Sequence, residues 1–131
     1  MIIVDTNVLI YLVLKGKFSE ACGKLFLKDS DWAAPRLWRD EITNVFALYE
    51  RKSLLSRESA ILAFKDAESL LNGNEFELPF ERILTVALNT GCSGYDAQFI
   101  ALAEDLGTQL FTFDQKILKN AKHIARNPPD F

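Results

Sequence analysis

The first dozen residues, MIIVDTNVLIYL, place one carboxylate between two apolar runs. Residues 2–4 are apolar and β-branched, which is typical of a strand buried on both faces. Residues 8–14 form a second apolar run, long enough for about two helical turns before Lys15 and Gly16 end it. Asp5 therefore stands where a buried strand passes into a buried helix. Ligands of parallel α/β sheets bind at this end of a strand, although an Asp here can also serve only as a helix cap.

The length and composition are those of one globular domain. The chain has 131 residues, of which 49% are hydrophobic and 25% are charged. We predict one domain over residues 1–131, with residues 127–131 as a tail. The apolar start carries Asp5 and has no basic leader, so we expect neither a signal peptide nor a membrane span. Cys22 and Cys92 lack C-x-x-C spacing, which disfavours zinc and indicates reduced thiols in a cytoplasmic protein.

Apolar segments of strand type and helix type alternate along the chain. Strands are predicted at residues 2–4, 32–34, 75–78, 109–113 and near 123–125. Helices are predicted at residues 8–14, 19–27, 35–52, 56–71, 93–107 and 115–121, and after Pro79. Ser19 and Ser56 are expected to cap their helices, and Pro35 is expected to begin one. The predicted fold class is a single α/β domain with a small central parallel sheet flanked by helices.

Apolar residues at helical spacing predict which helix faces point into the core. The expected inward residues of two helices are Trp38, Ile42, Val45, Phe46 and Tyr49, and Ile61, Leu62, Phe64, Ala67, Leu70 and Leu71. The helix after Pro79 is predicted to run through Ile83, Leu84, Val86, Ala87 and Leu88. The apolar residues Leu9, Tyr11, Leu12, Trp38 and Phe46 exceed what one small core needs. We therefore predict that they form a partner surface in a twofold homodimer.

Four acidic residues interrupt these predicted buried elements. Asp5 and Asp114 come directly after predicted strands, whereas Glu41 and Asp96 fall on the apolar faces of predicted helices. Each has a purely structural explanation as well. Asp5 and Asp114 can cap helices, Ser93 with Asp96 matches a capping box, and Glu41 can extend to the surface. Convergence of all four near one end of one sheet would instead make a shared site.

Charge repulsion indicates what such a cluster of acids requires. Two carboxylates roughly 4 Å apart repel each other by about 4 kcal/mol at an effective dielectric constant near 20. A counter-charge is therefore expected, and an all-oxygen site without Cys or His ligands suits Mg²⁺ or Mn²⁺. Such ions bind phosphates, polarise the phosphoryl oxygen and activate bound water. The cluster thus predicts hydrolysis of a phosphodiester.

The net charge of −3 does not exclude nucleic acid once these acids are set aside. Without the four acids, the chain has 14 acidic and 15 basic residues. Several basic residues lie on or near the segments that carry Glu41 and Asp114, and they are either phosphate-binding residues or an ordinary solvated surface: Arg36, Arg39, Lys116, Lys119, Lys122 and Arg126.

Four stretches resemble the PIN domain, and more narrowly the VapC toxins of bacterial and archaeal toxin–antitoxin pairs. They are VDTNVLI at residues 4–10, RDEITNVF at 39–46, SGYDAQFIALAEDLG at 93–107 and LFTFDQKI at 110–117. The resemblance covers the whole chain and keeps the acids in the family's order. Asp5, Glu41, Asp96 and Asp114 match the acidic quartet that implies catalysis and metal binding. Thr6 and Asn7 match the polar residues after the first acid, and Thr112 matches the hydroxyl residue two before the fourth.

The resemblance implies a metal-dependent ribonuclease that acts on RNA, commonly a homodimer that a small VapB-like antitoxin silences. Three other interpretations of the sequence stay open. A PIN-type nuclease that is not a toxin, or a PIN-type module that only binds nucleic acid, would share the fold, but a binding module could lose an acid and here all four are present. A response-regulator receiver also has an acid at a strand end, but no paired acid is visible near the first strand, and Lys116 is too close to Asp114 to be its late lysine.

Overall fold

The structure of the protein, a computed structural model, describes residues 1–130; Phe131, at the end of the predicted tail, lies outside them. Within the described residues, the elements follow one another in this order: β1 (Ile2–Val4), α1 (Thr6–Val13), α2 (Ser19–Lys28), β2 (Trp32–Pro35), α3 (Trp38–Arg51), α4 (Arg57–Leu71), β3 (Glu75–Phe76), α5 (Phe80–Thr90), α6 (Gly94–Leu106), β4 (Leu110–Phe111), α7 (Gln115–Asn120), β5 (Ala125–Arg126) and a 3-10 turn (Pro128–Asp130). The 3-10 turn packs against α2.

The five strands form one parallel sheet in the order β3-β2-β1-β4-β5. Ile2 lies opposite Trp32 of β2, and Ile3 lies opposite Leu110 of β4. Every residue of β1 and β2 is buried, as expected for strands covered by helices on both faces. The predicted class, an α/β domain with a small central parallel sheet, is confirmed.

The strand order creates a switch point beside β1. After β1 the chain builds outward through β2 and β3, and then returns to place β4 and β5 on the other side. Connections leave in opposite directions at such a point, and a crevice opens beyond the carboxyl ends of the two strands there. Asp5 follows β1, and Asp114 lies three residues after β4 ends. The sheet therefore brings these two acids to the same crevice.

The predicted start of the third helix is wrong. Pro35 is the last residue of β2, where it lies opposite Phe76 of β3, and α3 begins only at Trp38. Proline is tolerated at the end of a strand because its missing N–H interrupts no further pairing. The main-chain N–H of Arg36, the next residue, donates to the Phe76 carbonyl over 2.9 Å and extends the sheet by one more bond.

One of the two predicted serine caps is wrong. Ser19 begins α2, but its hydroxyl accepts from the Gly16 N–H over 2.8 Å and donates to the Leu14 carbonyl over 3.1 Å. Ser19 therefore closes the preceding loop instead of capping the helix. The second predicted cap is confirmed, because the Ser56 hydroxyl accepts from the Ser59 N–H over 3.1 Å. Loop closure competes with capping because both use the same short polar side chain.

The buried face of α4 was predicted only in part. The buried residues of α4 are Ala60, Ala63, Ala67 and Leu71, whereas Ile61 and Leu62 are exposed, contrary to prediction. In α5, Val86 is buried, and Leu84 and Leu88 are exposed. The small side chains of α4 let this helix pack closely on β2 and rotate its larger residues outward.

The predicted partner surface on the early helices is also wrong. Leu9 and Trp38 are fully buried in the core of this chain, and Phe46 is nearly so. Tyr11 and Leu12 pack against the same core from its edge. Cys22 and Cys92 are buried free thiols, as predicted. No helix in residues 1–130 is both long enough and apolar enough to cross a membrane.

Candidate active site

All four predicted acids line one cavity at the carboxyl end of the sheet. Its volume is about 200 Å³, and its wall consists of Asp5, Thr6, Asn7, Ile10, Glu41, Val45, Asp96 and Asp114. The side chains thus come from the ends of β1 and β4 and from the first turns of α3 and α6. Among the supporting residues, Thr6 and Asn7 lie in the wall itself, and Thr112 lies directly behind Asp5.

Asp5 is the most constrained acid of the site. Its main-chain N–H donates to the Phe111 carbonyl over 2.9 Å, so the pairing of β1 with β4 extends to it. Its side chain is only 7% exposed and caps α1, with Oδ1 accepting from the Thr6 N–H over 2.8 Å. Oδ2 accepts from the Thr112 hydroxyl over 2.7 Å and from the Asn7 amide over 3.4 Å. Asp5 is therefore a helix cap and a cavity residue at once.

Thr6 links Asp5, which follows β1, to Glu41 of α3. Its main-chain N–H holds Asp5, while its hydroxyl donates to Glu41 Oε1 over 2.7 Å. Glu41 lies in the first turn of α3 and is half-buried. These two residues are 35 positions apart in the sequence. The hydrogen bond holds the longer Glu side chain at the cavity and leaves Oε2 for another contact.

Asp96 and Asp114 are held by local backbone structure. Asp114 caps α7, with Oδ1 accepting from the N–H groups of Lys116 at 2.9 Å and Ile117 at 3.1 Å. Ser93 caps α6 by accepting from the Asp96 N–H over 3.1 Å, which places Asp96 in the first helical turn. The capping explanation is therefore confirmed for Asp114. For Asp96, only the bond from its own N–H to Ser93 is present, so its carboxylate is not used as a cap.

Thr112 connects the two strand-end acids. Its fully buried hydroxyl donates to Asp5 Oδ2 and accepts from the Asp114 N–H over 3.0 Å. Asn7 makes a second link, since its amide contacts Asp5 and its carbonyl accepts from the Phe113 N–H over 3.4 Å. The positions of the two acids therefore depend on one network that spans the β1–β4 crevice.

Burial and mutual repulsion favour the protonated forms of three acids. Burial raises the pKa of Asp5 from 3.8 to about 7; the Thr112 hydrogen bond opposes this rise, and the charges of Glu41 and Asp96 add to it. Burial also raises the pKa of Glu41, and so does the charge of Asp96. The pKa of Asp96 is raised by burial and by the charge of Asp114. Raised acid pKa values of this kind cluster at functional sites.

The donor set fits a hard divalent cation. Four carboxylates without a Cys or His ligand meet at one cavity, and the pKa values of Asp5, Glu41 and Asp96 are each raised in part by the charge of another of these acids. A cation would remove this repulsion, with Asp5 and Asp96 as the main ligands and Glu41 and Asp114 beside them. As the side chains now point, no three His, Cys, Asp or Glu groups in residues 1–130 are arranged to hold a metal ion. Hydrogen bonds from Thr6, Thr112 and the α7 backbone hold oxygens of Glu41, Asp5 and Asp114, respectively.

The basic residues divide into occupied and accessible groups. Arg39 binds Glu75 through Nε at 2.7 Å and Nη2 at 2.9 Å, and binds Glu68 through Nη1 at 2.9 Å, so it is a structural residue. Arg126 donates to the carbonyls of Lys122 and Ala125. Lys116 is exposed at the start of α7, and its charge lowers the pKa of Asp96. Among the basic residues predicted to bind phosphate, Lys116 is therefore one whose charge acts directly on an acid of the cavity.

Comparison with known proteins agrees with this arrangement. The sequence model of the PIN domain family matches residues 2–123. No curated protein matches the sequence. The crystal structure of PAE2754 from Pyrobaculum aerophilum superposes with a TM-score of 0.75 at 25% identity, over 94% of this chain and 81% of that one. The crystal structure of FitAcB from Neisseria gonorrhoeae has the same fold, with a TM-score of 0.71 at 19% identity over 100% of both chains. The protein belongs to the PIN-domain family, whose members are generally nucleases.

Proposed function

We propose that the protein is a Mg²⁺- or Mn²⁺-dependent endoribonuclease and the toxin of a toxin–antitoxin pair. The observation that carries the nuclease proposal is the convergence of Asp5, Glu41, Asp96 and Asp114 on one cavity of a PIN fold. Helix capping explains Asp5 and Asp114 individually, but it does not explain why all four acids meet at one cavity. PIN nucleases typically use divalent metals, which agrees with a site made only of oxygen donors.

Each residue has a distinct role in this proposal. Asp5 and Asp96 would hold the cation, because they are placed by a strand end and a helix start. Glu41 uses Oε1 for Thr6, so Oε2 would orient the attacking water and take its proton. Burial raises the pKa of Glu41, which makes its carboxylate a stronger proton acceptor than an exposed one. Thr112 and Asn7 are positioning residues that hold Asp5, and Asp114 would act from the edge of the site.

The cation, when bound, would supply Lewis-acid stabilisation of the charge that develops on the phosphoryl oxygens. The chain supplies the rest. The apolar side chains of Ile10 and Val45 line the wall beside the acids and reduce their contact with water. Lys116, whose charge acts on Asp96, would attract the phosphate backbone. The test is cleavage of single-stranded RNA with Mg²⁺, with Mn²⁺ and with chelator. A protein that binds RNA but never cuts it would instead be a PIN-type binding module.

Metal binding should be visible without any assay of cleavage. We expect Mn²⁺ to raise the melting temperature, because a ligand at about 100 times its Kd stabilises the folded state by about 2.7 kcal/mol. The rise should disappear in the double variant Asp5→Asn, Asp96→Asn and persist in Asp66→Asn, where the carboxylate is exposed on α4. Thermal melts followed by circular dichroism give the answer. An unchanged melting temperature in saturating metal would count strongly against the site.

The toxin assignment extends the proposal to a protein partner and a cellular location. The resemblance to VapC toxins implies a VapB-like antitoxin, and the fold is shared with FitAcB. We propose that the protein acts in the cytoplasm, where its RNA substrate would be. A small neighbouring reading frame with a DNA-binding N-terminus, whose product copurifies with this chain and inhibits its cleavage of RNA, would support the toxin. Without such a partner, the chain is a PIN nuclease outside toxin–antitoxin systems.

An exposed apolar stripe on α5 is a better candidate for the homodimer interface than the early helices, whose apolar residues are mostly buried. Phe80, Leu84 and Leu88 are 74%, 44% and 75% exposed, and their spacing of four places them in one stripe along α5. Antiparallel pairing about a twofold axis at Leu84 would put the Phe80 end of one copy against the Leu88 end of the second copy. The stripe is therefore self-complementary.

We expect Leu84→Glu to convert the dimer to a monomer, because pairing would bury an uncompensated charge in each copy. Light scattering at high micromolar concentration gives the mass. The control is Leu27→Glu on α2, where Leu27 is 87% exposed and outside the stripe. A wild-type protein of monomer mass, or a Leu84→Glu variant of dimer mass, would contradict this surface.

A further inference from the structure

A second cavity, of about 500 Å³, opens beyond the carboxyl ends of β2 and β3. We call it the β2–β3 cavity. The side chains that line it are of two kinds, apolar and polar: Leu37, Phe76 and Leu78, and Arg36, Arg39, Asp40, Glu77 and Gln98. None of these residues lines the acidic cavity. The roles assigned above leave this cavity unused.

The two cavities are neighbours along one edge of the sheet. Asp40 of the β2–β3 cavity directly precedes Glu41 of the acidic cavity, so their Cα atoms are about 3.8 Å apart. Gln98 follows Asp96 on α6 by two residues, a rise of about 3 Å along the helix. The same helical turns therefore line both cavities. A single-stranded substrate with its phosphate at the acids would carry the flanking nucleotide toward the β2–β3 cavity.

Three polar side chains of this cavity have no protein partner. Within residues 1–130, no hydrogen bond or ion pair involves the side chains of Asp40, Glu77 or Gln98. The two carboxylates can only accept hydrogen bonds when ionised, whereas the amide both donates and accepts. Arg39, by contrast, is occupied by Glu68 and Glu75. The polar groups available to a ligand are therefore two carboxylates, the Gln98 amide and the exposed Arg36 guanidinium. The carboxylates suit a ligand edge that presents neighbouring donors.

The apolar part of the wall suits a flat aromatic ligand. Phe76 is half-buried, with part of its ring against the core and part at the cavity, beside Leu37 and Leu78. Proteins that recognise single-stranded RNA stack unpaired bases on such side chains and bond the base edges. A phosphate group would instead meet two carboxylates here and be repelled. Arg36, exposed on the loop before α3, is the cation at this cavity that can take the phosphate of the same nucleotide.

We propose that the β2–β3 cavity binds an unpaired guanine that flanks the cleaved bond; this proposal rests on the proposed function. Guanine is the one common RNA base whose pairing edge has two adjacent donors, N1–H and the N2 amino group, beside the O6 acceptor. One of the two carboxylates that line the cavity, Asp40 or Glu77, accepts from both donors. The Gln98 amide donates to O6, and Phe76 stacks on the ring. Adenine, cytosine and uracil cannot satisfy the same set.

The first test is cleavage of single-stranded oligoribonucleotides that differ only in one base. Each has a single guanine, inosine, adenine or cytosine in an otherwise all-uridine strand, and Mn²⁺ is present. We expect the guanine strand to be cut beside the guanine at least about tenfold faster than the adenine and cytosine strands, with inosine between them because it lacks the N2 amino group. Equal rates on all strands would overturn the proposal and leave the nuclease function standing.

The second test uses variants that keep shape and remove charge. Asp40→Asn with Glu77→Gln should lower the rate on the guanine strand about tenfold and leave the adenine strand unchanged, since one amide cannot accept from both donors. Gln98→Ala should act in the same direction. Glu81→Gln on α5, an exposed acid outside both cavities, is the matched control. An equal loss on all strands would assign these residues to the fold or to catalysis and would overturn the proposal.

A binding measurement separates this proposal from the proposed function. Guanosine 5′-monophosphate, inosine 5′-monophosphate and adenosine 5′-monophosphate are titrated into the metal-free protein, and the side-chain amide signals of Gln98 are followed by NMR. We expect guanosine monophosphate to shift them at the lowest concentration and the double variant to lose that preference. If no RNA is cleaved with either metal, the proposed nuclease function is wrong. The titration still shows whether the β2–β3 cavity prefers guanine. Equal shifts with all three nucleotides would overturn the guanine assignment.

Discussion

Asp5→Asn and Asp96→Asn, made separately, should each lower RNA cleavage by about 10³-fold or more with the fold intact. Each change keeps the shape of the side chain and removes one anionic ligand. A metal ion contributes several kcal/mol to the stability of a phosphoryl-transfer transition state, and each 1.36 kcal/mol corresponds to about tenfold in rate. Asp5 should be the more sensitive position, because Thr6, Thr112 and Asn7 all hold its carboxylate in place.

The same assay ranks the other two acids. Glu41→Gln should also cause a large loss, since the amide cannot take a proton from water. Asp114→Asn should cost less, because Asp114 acts from the edge of the site in this proposal and the Asn side-chain oxygen can still cap α7. The matched control is Asp66→Asn on α4, where the carboxylate is exposed. Circular dichroism and melting curves show whether each variant folds. Full activity in a folded Asp5→Asn variant would contradict the proposed metal-dependent cleavage.

The second large effect is a loss of stability as the pH of the metal-free protein rises from about 4 to 7. The folded state holds the Asp5 proton up to a pKa of about 7, whereas the unfolded chain releases it near 3.8. The stabilisation from this group is therefore complete below about pH 3.8 and is lost as pH rises through 7. A difference of about three pKa units corresponds to roughly 4 kcal/mol in the free energy of unfolding.

Asp5→Asn isolates this effect, because the amide is neutral at every pH. Urea unfolding in chelator, from pH 4 to pH 8, should show a free energy of unfolding that falls more steeply in the wild type than in Asp5→Asn. The variant should be the more stable protein at pH 8. Asp66→Asn should keep the wild-type slope. Parallel pH profiles for wild type and Asp5→Asn would mean that Asp5 is already ionised in the folded protein.

Metal should oppose this loss of stability. The buried acids carry an uncompensated cost at neutral pH, which the cation would remove. Functional sites often contain residues that lower the stability of the fold, because the chemistry requires them. The network of Thr112 and Asn7 limits the cost, because its hydrogen bonds favour the ionised form of Asp5.

Much of the site could be predicted from the sequence because its signals are local. A β-branched run followed by Asp, Thr and Asn places Asp5 at a strand end whatever the neighbouring strands are. Ser93 and Asp114 cap their helices through N–H groups two or three residues away. The order of strands and helices along the chain likewise follows from periodicity. These features depend on residues within one or two helical turns of each other.

The tertiary structure alone decided which residues meet and which faces are buried. The contact of Thr112 with Asp5 joins positions 107 apart, and that of Thr6 with Glu41 joins positions 35 apart. Arg39, a candidate for RNA binding in the sequence, is an ion-pair partner of Glu75 because β3 lies beside β2. Ile61 and Leu84 continue apolar stripes yet face outward. Periodicity defines the faces of a helix, but only packing against the sheet selects the face that is buried.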